Sequence, residues 1–221
     1  MSTADVTMYL MTLSATATAA FALTSSGAWR LSKALSAFIV MSTISDATLV
    51  AWPDLRTPEF WTAREAVFAV LCAVSALEFG HGVLHPALRV WRAVCWRVMA
   101  LFCLLTCVGI FGLASSAGGA RVGYRGLLMV EAALVVLFAL TLSAVSLYEL
   151  PRHPLVVTAL RGLLRYSAFE LVYIGSWEAS PRIASALAWP TTLVFVWAML
   201  AITREAFSHP LLAKTTSEVT Q

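Results

Sequence analysis

The chain contains no Asn, and its single Gln is Gln221. Without Asn there is no N-glycosylation acceptor. Without side-chain amides no amide network can line a polar binding site. Charge is scarce as well. Of the 221 residues, 12% are Asp, Glu, Lys or Arg, where a soluble domain carries roughly 25%. Cysteine is sparse and unpaired in pattern. Cys72, Cys95, Cys103 and Cys107 all fall in or beside apolar runs, and no CxxC occurs. Cys103 and Cys107 share a helix face at i, i+4. All four read as small buried apolar thiols rather than a redox or metal motif.

What the chain has is hydrophobicity, at 60% of its residues. A hydrocarbon core about 30 Å thick needs roughly 20 apolar residues per helix. Seven runs meet that demand: Thr7–Ser26, Lys33–Trp52, Trp61–Leu84, Trp96–Ser115, Leu127–Leu150, Val157–Trp177 and Ala184–Thr203. They use about 140 residues and leave only short loops. The expected fold is an all-α integral membrane bundle of seven transmembrane helices over residues 1–210, with a mobile polar tail over 211–221. The first run is read as a retained helix and not a signal peptide, because Asp5 precedes it and Lys and Arg do not. His85-Pro86, Pro151 and Ser180-Pro181 stop helices, and Gly118-Gly119 marks a loop within Ser115–Gly123.

Basic residues set the orientation. One side holds Arg30, Lys33, Arg89, Arg92, Arg97, Arg152, Arg161, Arg165, Arg204 and Lys214, which is ten. The other holds Arg56, Arg64, Arg121, Arg125 and Arg182, which is five. The N-terminus is therefore expected outside and the C-terminus in the cytoplasm. Trp29, Trp52, Trp61, Trp91, Trp96 and Trp177 cluster at span ends, at headgroup level. Trp189 and Trp197 lie within the last span and read as packing.

Charges inside spans are costly and mark candidate sites. Glu78 in span three and Arg165 in span six lie roughly 9 and 12 Å from the cytoplasmic side at about 1.5 Å per residue. Their matched levels predict a structural ion pair, with Arg161 snorkelling beside it. Asp46 in span two and Glu170 in span six each lie roughly 10 Å in from the outer side, with no Lys or Arg counted at that level. Two acids without a cation hold a proton, bind a cation, or bond to hydroxyls such as Ser42, Thr43 or Ser167. Glu78, His81 and His85 share a helix face at i, i+3 and i+7. Such a set is a candidate metal site if another helix adds a ligand. Otherwise both His simply sit in the last turn, where the helix dipole favours them.

Several seven-span chemistries are excluded. A retinal Schiff base needs Lys in the last span, and Ala184–Thr203 has none. There is no Pro-Gln motif of SWEET-type sugar carriers. The His residues are too few for the zinc site of alkaline ceramidases, and no second mid-membrane His exists for haem. Gly-x-Ser-x-Gly and His-Glu-x-x-His are absent.

Arg64-Glu65-Ala66 opens span three and Glu78 lies near its end, Glu131 opens span five, and Phe169-Glu170 sits in span six. Over roughly residues 60–205 these positions resemble a pattern in small uncharacterised bacterial seven-span proteins. Some of those look like the membrane input halves of sensor kinases. The resemblance implies a bacterial inner-membrane location and a sensor-like role. With no output domain before Gln221, a signal is expected to pass to a separate protein partner or through a homo-oligomer. The leading expectation is thus a non-catalytic, sensor-like or accessory membrane subunit. The alternatives are a proton- or cation-coupled small-solute carrier using Asp46 and Glu170, and a metal-dependent membrane enzyme using His81 and His85. The lipid bilayer is the expected surrounding partner. Nucleic acid is not expected, and no cofactor is predicted beyond that possible metal.

Overall fold

Long apolar runs fold as helices in lipid because a helix satisfies its own backbone donors and acceptors. The computed structural model describes residues 3–55, 57–84, 120–147 and 153–211. Every regular element among the described residues is helical. They are α1 (Thr3–Ser26), α2 (Lys33–Ala51), α3 (Pro58–Leu84), α4 (Ala120–Leu147), α5 (Pro154–Ala179) and α6 (Pro181–Ser208), with single 3-10 turns at Ala28–Arg30 and Pro53–Leu55. The expected span at Trp96–Ser115, His85, Cys95, Cys103, Cys107 and the tail from Lys214 lie outside the described residues.

The helices extend past the apolar runs. Pro opens α3, α5 and α6, where its missing N–H costs nothing and its fixed φ suits the first turn. The α4 helix begins at Ala120, so the loop expected over Ser115–Gly123 is helical from Ala120 onward. Hydropathy marks what lipid covers, whereas hydrogen bonding sets where a helix starts.

Turn chemistry folds the helices back on one another. Gly27 leaves α1 with φ 73°, a left-handed conformation that glycine adopts without Cβ strain. Ser32 caps α2, its hydroxyl accepting from Leu35 N at 3.0 Å. Ser180 both ends α5 and precedes α6, making a one-residue hairpin. Above it the two helices close in tightly. A Cβ on Gly162 would lie 3.0 Å from the Ala198 Cβ.

The helices pack in chain order as a ring, with α6 closing onto α1, and α3 also touches α5 across the interior. Large apolar side chains face outward as well as inward. Phe21, Met129 and Leu140 are each more than 60% exposed on the outside, while Thr16, Ser42 and Asp46 are buried inside. Hydroxyls on α1 are satisfied locally: Thr12, Ser14, Thr16, Thr18 and Thr24 donate to carbonyls three or four residues earlier. Among the described residues four helices are long and apolar enough to cross a membrane: Val6–Ser26, Lys33–Ala51, Gly126–Ser146 and Arg182–Ser208. That is consistent with a multi-pass membrane protein.

Candidate functional site

One arginine organises the interior. Arg64 lies in the second turn of α3. Residues three before and four after it share its helix face, and here these are Trp61 and Phe68. The guanidinium carbon stands 4.8 Å from the Trp61 ring centre and 4.7 Å from that of Phe68, a cation–π contact on each side. From α2, Asp46 Oδ1 accepts from Arg64 Nη2 at 2.9 Å. Glu65, next in sequence, accepts from Nη1 at 3.4 Å. The Arg64 side chain is 15% exposed and that of Asp46 2%. Asp46 is buried and Arg64 nearly so, and the two charges lean on each other more than an exposed pair would.

The pair stands in the wall of a cavity of about 530 Å³ enclosed by α1, α2, α3, α5 and α6. It falls within the roughly 300–1,000 Å³ typical of small-molecule sites. It lies at the end of the ring where α1, α3 and α6 begin and α2 and α5 end. Tyr9 and Thr12 face it from α1, Ser42 from α2, Glu170 and Tyr173 from α5, and Trp189 and Thr192 from α6. Along the ring axis an aromatic cluster follows. Phe38 meets Phe68 edge-on at 5.2 Å and Phe195 at 6.3 Å, and Tyr166 lies 4.9 Å from Phe195. Beyond these rings the core is aliphatic, with Leu35, Ile39, Leu160, Leu163 and Met199 fully buried.

The polar atoms do not balance. Asp46 Oδ2 and Arg64 Nε, the atoms a bidentate fork would join, have no hydrogen-bond partner, and neither does Ser42 Oγ. Among the described residues no ion pair reaches Glu170. Glu131, buried on α4 beside Ser167, is within range of the Glu65 and Glu170 charges, and its Oε2 is also unpartnered. Among the described residues Asp46, Glu65 and Glu170 line the cavity against one cation, Arg64.

The structure thus brings Asp46 and Glu170 to one cavity from α2 and α5, but it corrects the expectation that no cation sits at their level. Arg64 does. The apolar window placed Arg64 at the edge of its span, whereas α3 begins at Pro58 and turns the side chain inward. Glu78 and Arg165 are not paired with each other. Glu78 Oε2 accepts from Ser32 Oγ at 2.6 Å and from Ala34 N at 3.0 Å, so it holds the N-terminus of α2. Amides there attract a carboxylate. Arg165 is exposed and stacks on Trp197 at 4.9 Å. Of the Glu78, His81 and His85 set, His85 lies outside the described residues and His81 is exposed. Among the described residues no group of three or more His, Cys, Asp or Glu is placed to hold a metal.

Sequence reasoning assigned no site role to Arg64, Glu65, Glu131 or Trp189. The Arg64-Glu65 doublet was the available signal, since two adjacent charges at a helix start cannot both face lipid cheaply. No family model, no curated protein and no solved structure matches the chain.

Proposed function

We propose that the protein crosses the bacterial inner membrane seven times, with its N-terminus outside and its C-terminus in the cytoplasm. In this reading it is a proton- or cation-coupled carrier of a small solute. The observation that carries the reading is the cavity that Asp46 and Glu170 line from opposite helices, with Arg64 of α3 as the only cation on its wall among the described residues. Carboxylates facing a cavity inside a bundle are the usual means of exchanging a proton for a solute. The aromatic cluster beneath supports the same reading, because a cavity closed on one side is what one state of alternating access requires. The ten-to-five basic count supports the orientation, and Trp96–Ser115 supplies the remaining span on sequence grounds. The test is purified protein in proteoliposomes with an internal pH dye and a panel of small organic cations, amines and amino acids. At least one solute should dissipate an imposed pH gradient, and the Asp46→Asn/Glu170→Gln variant should not respond. No response to any solute removes the carrier.

The second reading is a sensor-like or accessory subunit acting through a separate partner. Its support is the resemblance over roughly residues 60–205 to sensor-kinase input halves, and the same cavity would then be the sensing pocket. Solute binding without flux selects it.

A further inference from the structure

We infer that the cavity takes a small organic monocation, an ammonium group carried on an apolar body. The inference deepens the carrier reading and rests on the same cavity. Among the described residues three carboxylates line the cavity with one guanidinium. That guanidinium is already engaged by Asp46 and Glu65, and Glu170, within range of its charge, makes no ion pair with it or with any other cation among the described residues. A second, independent observation points to the same kind of ligand. Asp46 is 1% exposed, lines the cavity, and leaves Oδ2 without a hydrogen-bond partner, as Ser42 leaves its Oγ. Buried acceptors left unmade are costly, and a cationic donor in the cavity satisfies them.

The walls define the rest of the ligand. Trp61, Tyr166, Trp177 and Trp189 all face the cavity. Aromatic faces attract alkylated ammonium and bury an apolar body at the same time. A bare metal ion fits poorly, since no three ligating side chains converge among the described residues. An anion would meet the carboxylates. When the monocation binds, its charge replaces that of a proton on a carboxyl group. Binding therefore releases protons to solvent, and charge balances without any further reactant.

The test is calorimetric titration of the full chain in detergent with benzylammonium, whose N–H groups can donate, and with ethylbenzene, which has nearly the same shape without the charge. The cation should bind saturably and at least tenfold tighter than its neutral isostere. Its binding should weaken as pH falls and release protons in buffers of different ionisation enthalpy. Glu170→Gln should weaken it at least tenfold, and Trp189→Leu should weaken it without changing proton release per cation bound. Equal binding of the isostere, or no binding of the cation by monodisperse protein, overturns the inference even if Glu170→Gln fails to fold. Cation binding without proton flux in proteoliposomes defeats the carrier and leaves the ligand class standing. Flux driven by another solute, with no cation binding, does the reverse.

Discussion

Replacing Asp46 by Leu and Arg64 by Met, singly and together, measures what the buried pair is worth. Two unit charges about 4 Å apart attract by about 4 kcal/mol at an effective dielectric near 20. The structure argues for less than this. The contact is a single 2.9 Å bond and not a fork, Arg64 also leans on Glu65 at 3.4 Å, and two rings hold the guanidinium whether or not Asp46 is there. Each single change strands a buried charge, which costs about 3–5 kcal/mol where no other partner remains. Arg64→Met should reach that range, because it leaves three cavity carboxylates without a cation. Asp46→Leu should cost less, because Glu65 remains. The double variant should recover part of the sum, giving a coupling energy of about 1–3 kcal/mol. The assay is reversible unfolding of the detergent-solubilised protein by SDS, read by tryptophan fluorescence. The control cycle is Glu78→Gln with Arg165→Leu, whose coupling should stay below about 0.5 kcal/mol because the two share no partner. A coupling at Asp46 and Arg64 as small as the control's would refute the reasoning.

Three further outcomes follow from the same geometry. A reporter fused after Gln221 should be active only as a cytoplasmic marker, and strong periplasmic activity reverses the orientation. Glu78→Ala should destabilise the protein by about 1.5–3 kcal/mol, the range for hydrogen bonds to a charged group. Amide exchange should accelerate at the start of α2, and unchanged protection there would show that Glu78 is not its cap. Gly162→Val should cost about 1–3 kcal/mol by overpacking, and adding Ala198→Gly should restore part of it. No recovery would mean that α5 and α6 do not meet at these residues.

That Asp46 and Glu170 share one end of the bundle was legible in the sequence, and the direction of a side chain was not. Counting residues from the span ends put Asp46 and Glu170 at one level, and both line one cavity. The same counting put Glu78 level with Arg165, and there each has another partner. The difference is angular. A soluble helix shows its inner face by the period of its apolar residues. A helix between lipid and a packed interior is apolar on both sides, so its sequence says little about which neighbour a side chain meets.

Helix ends were legible where Pro sets them, as at Pro181, and illegible where polar residues prolong a helix past its apolar run. Arg64 shows the cost of that second case. Counted as a flanking charge, it contributes to orientation and to no site. Placed in the second turn of a helix that begins at Pro58, it reaches Asp46 and decides the electrostatics of the cavity. Glu78 fails differently. Its partners at the start of α2 are a backbone amide and a serine hydroxyl, which no tally of charges includes. For carboxylates inside a membrane bundle, free amides at helix N-termini therefore compete with Arg and Lys as partners. Glu170 has neither partner among the described residues, and that absence sets it apart from the structural acids Glu78 and Glu65.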